Sequence, residues 1–441
     1  MSSPYSIAQL YHLFVQSSGI TTDTRNVLAG NIFFALKGEN FNANLFAEEA
    51  LNKGASYVVV DEICEPDWIQ KYGKRLIVVE NVLQILQQLS GYHRSQLKCP
   101  VLAITGSNGK TTTKELIAAV LSKKFRTYAT KGNLNNHIGI PLTLLSIKED
   151  VEFAVIEMGA NHQKEIASYC NYVMPDFGLI TNVGLAHIEG FGGFEGVVKG
   201  KTELFTHLAD HRGHVFVSSE NDILRSKLKE YGFNIDSTNE VITYGISPES
   251  YCSGSNTFSK DFLIVKVEGI TIQTNLVGDY NFDNVMSAVC VGKYFGVGIE
   301  KIKQAIESYI PTNNRSQRIS LGTNAVILDA YNANPSSMAE ALKNFSKLEA
   351  FQKVVILGEM MELGQYSLSE HEKIFSSVKE MQLTHRIFVG KGFEFLRNSE
   401  DCRWFEKTEL AKEWFRKQHF ENTLILIKGS RKNELEKILK D

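Results

Sequence analysis

The chain has 441 residues, 43% hydrophobic and 22% charged, an ordinary globular usage that excludes a disordered or fibrous protein and allows roughly two to four domains. Its 47 Lys and Arg against 50 Asp and Glu leave a net charge of −3, too even a balance for the chain-wide cationic surface that nucleic acid or an anionic membrane selects. No apolar run approaches the ~18 residues of a membrane span, and MSSPYSIAQL has no basic stretch leading into an apolar one, so neither membrane insertion nor export is expected. The cysteines Cys64, Cys99, Cys170, Cys252, Cys290 and Cys402 form no CxxC pair and read as reduced thiols of a cytoplasm.

In chain order, short β-branched runs alternate with stretches of helical period, the pattern of α/β layers around a mostly parallel sheet. Residues 56–61 and 75–80 are expected strands, and Val82–Gln96 an expected helix that stops before Pro100. Denser strands follow at 101–106, 153–159, 177–184 and 214–219, with helical stretches between them. A more antiparallel patch, 262–277, leads into a helix expected from Asn284 to Phe295, and turn residues cluster at 309–314. Beyond them, strands at 325–331, 353–359, 386–390 and 424–430 alternate again with helices. The expected division is therefore 1–97, 98–310 and 311–441.

The sharpest local signal is Ile104-Thr-Gly-Ser-Asn-Gly-Lys-Thr-Thr-Thr113, which follows an apolar strand and opens a helix expected at Lys114–Lys123. Glycines let backbone N–H groups converge on phosphate oxygens, a helix N-terminus adds positive potential, and Lys110 supplies a point charge. Thr111 offers a hydroxyl to a nucleotide's Mg²⁺. Only Ser107 and Asn108 separate Gly106 from Gly109, where the usual phosphate loop has four residues between its glycines. A plain Gly-Asn turn capping a helix would not need the Gly-Lys-Thr-Thr that follows. The cluster Gly190-Phe-Gly-Gly-Phe-Glu-Gly196 does not follow its strand directly and reads as a flexible loop rather than a dinucleotide fingerprint.

Other positions have both a functional and a plain reading. Glu157 ends a strand and either holds Mg²⁺ or meets solvent as an ordinary strand-end carboxylate. His187 lies just past another strand end and is either a ligand or a structural hydrogen-bonder. Lys201 reads as a solvated helix lysine.

TGSNGKTTTK (105–114), EMGANH (157–162), TNVGLAHIEGFG (181–192), KTELF (201–205), GDYNFDN (278–284), NRSQ (314–317) and DAYNANPSSM (329–338) occur in an order that resembles the Mur ligase family. TTDTRNVLAGNIFFALKG (21–38), KGNLNNHIGIPLTLL (131–145), ILGEMMELG (356–364) and KGSR (428–431) extend the resemblance over nearly the whole chain. It implies three domains: a central sheet of the phosphate-loop type, flanked by a small N-terminal α/β domain and a C-terminal Rossmann-like α/β domain. DAYNANPSSM followed by ILGEMMELG, and KGSR near the C-terminus, point to the member activity that joins D-alanyl-D-alanine to UDP-N-acetylmuramoyl-tripeptide. That is an ATP-dependent step of cytoplasmic peptidoglycan precursor synthesis, and hence of cell-wall biogenesis, cell shape and division. The ligase transfers the γ-phosphoryl of ATP to the tripeptide's terminal carboxylate, and the dipeptide's amine attacks the acyl phosphate.

By the same resemblance, Lys110, Glu157, His187 and Lys201 are catalytic. Thr111, Glu157, His187 and a carbamylated Lys201 hold Mg²⁺, with two ions expected. Thr105, Gly106, Ser107, Asn108, Gly109, Lys110, Thr111, Thr112, Asn281, Asn284, Arg315 and Asp329 bind ATP. Tyr280 stands where the family commonly has a histidine. Thr22, Asp23, Thr24, Arg25, Asn133, Asn135, Asn136, Asn332, Asn334, Lys428, Ser430 and Arg431 meet the UDP-peptide and the dipeptide; the alternative for the last three is a basic helix start. The segment Gly38-Glu-Asn-Phe-Asn-Ala-Asn44 departs from the family's Asp-Gly-His form. The expected partners are these small molecules, with no nucleic acid, and the expected state is a monomer. Two other readings stand beside this one: another Mur-type or folylpolyglutamate-type amino-acid ligase, and a nucleotide-gated binding module without catalysis.

Overall fold

The computed structural model describes residues 5–259, 262–312 and 314–440. Residues 1–4 and Asn313, which belongs to the turn cluster at the second expected join, lie outside the described residues. Packing groups the chain into two units: Met1–Ile104 with Phe125–Gly159 and Glu165–Gly178, and Thr105–Lys124 with Ala160–Lys164 and Leu179–Asp441. The joins expected near 97 and 311 each fall inside a unit.

In the first unit, β1 (Ile20–Thr21), β2 (Ile32–Phe34), β3 (Tyr57–Val60) and β4 (Leu76–Val78) form a parallel sheet in that order. Alternate side chains leave a strand on opposite faces, and both faces are apolar. Ile32, Phe34, Val59 and Ile77 pack with Leu10, Val82, Leu86 and Leu89 of the helices Ile7–Gln16 and Val82–Gln96. Phe33, Val58, Val60 and Leu76 pack with Ala43, Ala47, Ala50 and Trp68 on the other side. A second parallel group follows in the same unit, where β7 (Phe153–Glu157) pairs with β5 (Val101–Thr105) and β6 (Thr127–Ala129).

Beyond β8 (Phe177–Ile180), the second unit continues with β9 (His214–Ser218), β10 (Val241–Gly245) and β11 (Cys252–Ser259), paired in parallel. β12 (Phe262–Val267) and β13 (Ile270–Val277) extend it as the expected antiparallel patch. A separate sheet has the order β14-β15-β19-β16-β17-β18. Its members are β14 (Gln317–Leu321), β15 (Asn324–Asp329), β16 (Gln352–Gly358), β17 (His385–Val389), β18 (Arg403–Phe405) and β19 (Thr423–Lys428). Only β14 runs antiparallel. Val326, Leu328, Val354, Ile356, Ile425 and Ile427 build one core of this sheet.

Three local expectations change. The phosphate-loop helix runs Lys110–Leu121 rather than 114–123, because Gly109 at φ +78° ends the loop immediately before the lysine. The helix expected from Asn284 begins at Asn281 and ends at Tyr294. The glycine cluster at 190–196 is ordered: Ile188–Phe191 is a helical turn, and Gly193 turns the chain into the helix Phe194–Asp210. Among the described residues, no helix is long and apolar enough to cross a membrane. None of the six cysteines is in a disulfide.

Candidate active site

The phosphate loop is held from behind by the segment after β8. Ser107 N donates to Asn182 O (3.0 Å), Asn108 N to Asn182 Oδ1 (2.9 Å), and Thr181 Oγ1 to Asn108 O (2.6 Å). Ser107 Oγ donates to Gly184 O (3.1 Å) and accepts from Gly184 N (2.9 Å). Gly106 takes φ +140°, and a Cβ there would collide with Thr181 Oγ1, so the loop needs glycine for both conformation and space. Lys110 Nζ donates to Gly106 O (2.7 Å) and Ser107 O (3.0 Å), closing the loop over its own ammonium. Thr105 and Thr111 are buried, while Thr112 is half-buried.

Asn281 and Asn284, expected beside adenine, have their amides engaged within the protein. Asn284 Oδ1 accepts from Thr113 Oγ1 (3.0 Å), its Nδ2 donates to Asn281 Oδ1 (2.8 Å), and Asn281 Nδ2 donates to Val277 O (2.8 Å). These bonds tie the helix Asn281–Tyr294 to the phosphate-loop helix. Next to them, burial and the nearby Glu220 push the Asp283 carboxyl up to about 6. Burial likewise raises the phenol of Tyr280, whose hydroxyl lies 2.8 Å from Ser316 Oγ.

Asn334 caps the helix Pro335–Lys347 through its Oδ1 and donates Nδ2 to Asn108 Oδ1 (2.8 Å). Leu185 N donates to Ser336 Oγ (2.8 Å). The expected substrate residue Asn334 thus meets the phosphate loop itself, while Asn332 is exposed in the preceding turn. Arg315 lays its guanidinium 3.6 Å from the centre of the Tyr331 ring. Asp329 accepts from Ser316 N (3.2 Å) and pairs with Lys428.

That pair alters the reading of KGSR. Lys428 ends the buried strand β19 directly across from Asp329 of β15, and only 2% of its side chain is exposed. Ser430 Oγ donates to Glu359 O (2.7 Å). Only Arg431 projects, with its guanidinium on Glu436 (2.6 Å). The segment is a strand end leading into a short 3₁₀ helix, Arg431–Asn433, which opens on basic residues.

Lys201 is not solvated. It is 1% exposed in the helix Phe194–Asp210, donates to Ala160 O (2.9 Å), and lies 4.8 Å from the centre of the Phe191 ring. His187 takes the left-handed conformation (φ 53°, ψ 34°) at the start of the helical turn Ile188–Phe191, and its Nδ1 pairs with Glu362. The hydrogen bond from His187 holds the Glu362 carboxyl below the usual range against the opposing effect of burial, with a further contribution from His162. Glu362 lies in the quoted motif ILGEMMELG, yet nothing in that run assigns it a partner. Thr181 and Asn182 lie in TNVGLAHIEGFG, and Tyr331 and Ser336 in DAYNANPSSM, where residue type alone singles out none of them.

In the first unit, Glu157 is 1% exposed and Asn135 Nδ2 donates to its Oε1 (2.8 Å). Glu157 N donates to Thr130 Oγ1 (2.9 Å), and Gly159 N donates to Asn135 O (2.7 Å). The strand-end carboxylate is therefore buried rather than facing solvent. Asn136 Oδ1 accepts from Gly139 N (2.8 Å) at a helix start, and Asn133 is exposed. Asp23 caps the turn Thr24–Asn26, and the hydrogen bonds from Arg25 lower its carboxyl to about 2. Thr22 is half-buried beside that cap.

Glu157 in the first unit and Thr111 in the second each carry a hard oxygen donor of the kind Mg²⁺ takes. Among the described residues, no group of three or more His, Cys, Asp or Glu could hold a metal ion. Mg²⁺ commonly draws its remaining ligands from nucleotide phosphates and water.

A glycine loop that opens a helix on a lysine, within parallel α/β layers, defines a phosphate-binding nucleotide protein. Residues 104–292 match the Mur ligase middle domain, and 314–431 the Mur ligase, glutamate ligase domain. The chain is 31% identical to a UDP-N-acetylmuramoyl-tripeptide–D-alanyl-D-alanine ligase of Bacillus subtilis, over 96% of this chain and 92% of that protein. The ligase of the same name from Escherichia coli is also 31% identical, over 96% and 92%. The chain belongs to the Mur ligase family. A crystal structure of MurF from Acinetobacter baumannii superposes with a TM-score of 0.85 at 27% identity, covering 99% of this chain and 98% of that one. MurF ligase from Thermotoga maritima, solved with ADP, has a TM-score of 0.84 at 23% identity over 97% of each chain and bears on the fold alone. These likenesses give the α/β, three-domain architecture of that family.

Proposed function

We propose that the chain is an ATP-dependent ligase joining D-alanyl-D-alanine to the terminal carboxylate of UDP-N-acetylmuramoyl-tripeptide. The nucleotide half of this reading is carried by the Gly106–Thr113 loop. The acceptor half rests on the full-length likeness to ligases of that name. A carboxylate is a poor acylating agent, and phosphorylation by ATP turns it into one. In this reading the loop's N–H groups and Lys110 grip the β- and γ-phosphates. The tripeptide carboxylate attacks the γ-phosphorus and ADP leaves. The dipeptide's amine then attacks the acyl phosphate, and phosphate departs as the amide forms. Positioning and charge neutralisation do most of the catalysis in such transfers.

Mg²⁺, when bound, neutralises charge developing on the phosphates. Thr111 and Glu157 would hold it, with His187 and a carbamylated Lys201 serving a second ion. Carbamylation converts a cation that would repel Mg²⁺ into an anion that supports it. Thr105 to Thr112, Arg315 and Asp329 belong to the nucleotide, with Asn281 and Asn284 supporting the loop. Thr22 to Arg25, Asn133, Asn135 and Asn136 belong to the UDP-peptide, and Arg431 to the dipeptide carboxylate. The domains are 1–97, 98–310 and 311–441, in a cytoplasmic monomer.

The reading is tested by ADP release from ATP and Mg²⁺ with UDP-muramoyl-tripeptide across a panel of amines. Release that depends on D-Ala-D-Ala supports it. Release driven instead by a single amino acid or glutamate assigns the chain to another ligase, and no release with any amine makes it a binding module.

A further inference from the structure

Glu362 reaches His187 from a braced turn. Glu359 O accepts from Ser430 Oγ (2.7 Å) and Asn433 Nδ2 (3.0 Å), and Glu359 Oε2 accepts from Gly392 N (2.8 Å). Met360 N donates to Nε2 of the fully buried His371 (3.0 Å). On the far side, Glu189 N donates to Glu362 O (3.4 Å), and Gly364, at φ +52°, packs against the Glu189 side chain. Within this frame both partners of the ion pair are non-glycine residues in left-handed backbone, His187 at φ 53° and Glu362 at φ 61°.

Half of the Glu362 side chain is exposed, and an ion pair so exposed adds little stability. Holding two residues in left-handed backbone costs more than such a pair returns, and strain of this kind collects at functional sites. The arrangement is better explained by what it does to the imidazole. A carboxylate on one ring nitrogen fixes which nitrogen carries the proton, sets the ring's orientation and raises the basicity of the other nitrogen.

We infer that Glu362 is a positioning residue for His187, holding Nδ1 so that Nε2 is the nitrogen presented to a cation or cation-bound water at the nucleotide site. The inference rests on the proposed ligase function and assigns a role to a residue of the ILGEMMELG segment. Losing such an outer carboxylate typically costs about 10–100-fold in metal affinity or activity.

The test uses the full chain with Glu362→Ala and Glu362→Gln. Calorimetry measures ADP affinity with and without Mg²⁺, and steady-state kinetics measures kcat and KM. Glu362→Ala should cut the Mg²⁺-dependent gain in ADP affinity by about 10-fold or more and kcat by about 10–100-fold. Mg²⁺-free ADP affinity, melting temperature and KM for D-Ala-D-Ala should stay near wild type. Glu362→Gln keeps an acceptor oxygen and should recover part of the loss. An unchanged Mg²⁺ gain and kcat in Glu362→Ala would overturn the inference, as would equal losses in Mg²⁺-free binding and melting temperature. If wild type makes no product, the ligase reading fails, while the Mg²⁺–ADP titrations still report on Glu362.

Discussion

Lys110 and Lys201 both lie on helices, but they differ in surroundings. Lys110 is half-buried and turned back onto the carbonyls of its own loop, a geometry from which an arriving phosphate can take the ammonium over. Replacing it with alanine removes a positive charge from the phosphate loop, and under the proposed function turnover should fall by at least ~10²-fold. Near-normal kcat in Lys110→Ala would remove Lys110 from the mechanism. Lys201 is 1% exposed against Ala160 O and the Phe191 ring, so a small acid in the space left by Lys201→Ala could mimic a carbamate. Partial recovery of turnover with short carboxylic acids is the expected outcome, and no recovery at any concentration would count against the carbamate. The sequence shows Lys110 plainly, because glycines, lysine and threonines are contiguous there. It hides Lys201, whose burial depends on Phe191 and Ala160 folding over it.

At the scale of elements, the buried Asp329–Lys428 pair joins the ends of β15 and β19. Removing one partner of a buried pair leaves an uncompensated charge, so Lys428→Met should lose about 3 kcal/mol of stability. A shift in urea midpoint worth less than about 1 kcal/mol would show that the pair does not brace the sheet. On the helix Asn281–Tyr294, the Asp283 carboxyl titrates at about 6 in the fold and near 3.9 when unfolded. Between those values the folded chain binds more protons than the unfolded chain, so this group lowers stability as pH rises from about 4 to about 6, with no further change above that. Asp283→Asn should therefore gain on wild type across that window, by up to about 3 kcal/mol. A gap between the two proteins that is constant from pH 4 to 6 would contradict the assignment. The helix Val82–Gln96 is read to the residue from its period and its proline stop. The strands Ile20–Thr21 and Ile32–Phe34 are too short to show a period and exist through their partners in the sheet. The glycine run at 190–196 reads as a loop, because glycines weaken the helical signal of a segment whose order comes from packing.

For the whole molecule, alternating periodicity conveys the α/β class and the motifs convey the family. The chemistry of single residues is less legible, because Lys428 resembles an anion-binding lysine until Asp329 is seen beside it. Glu362 is silent in sequence because its partner His187 lies far away in the chain. The most direct test is mass spectrometry of products from UDP-muramoyl-tripeptide, ATP, Mg²⁺ and D-Ala-D-Ala. The expected species is the UDP-muramoyl-pentapeptide, heavier than the tripeptide by D-Ala-D-Ala less one water, with one ADP formed per product. Unaltered tripeptide under these conditions, or a mass gain that appears only with a different amine, would contradict the assignment.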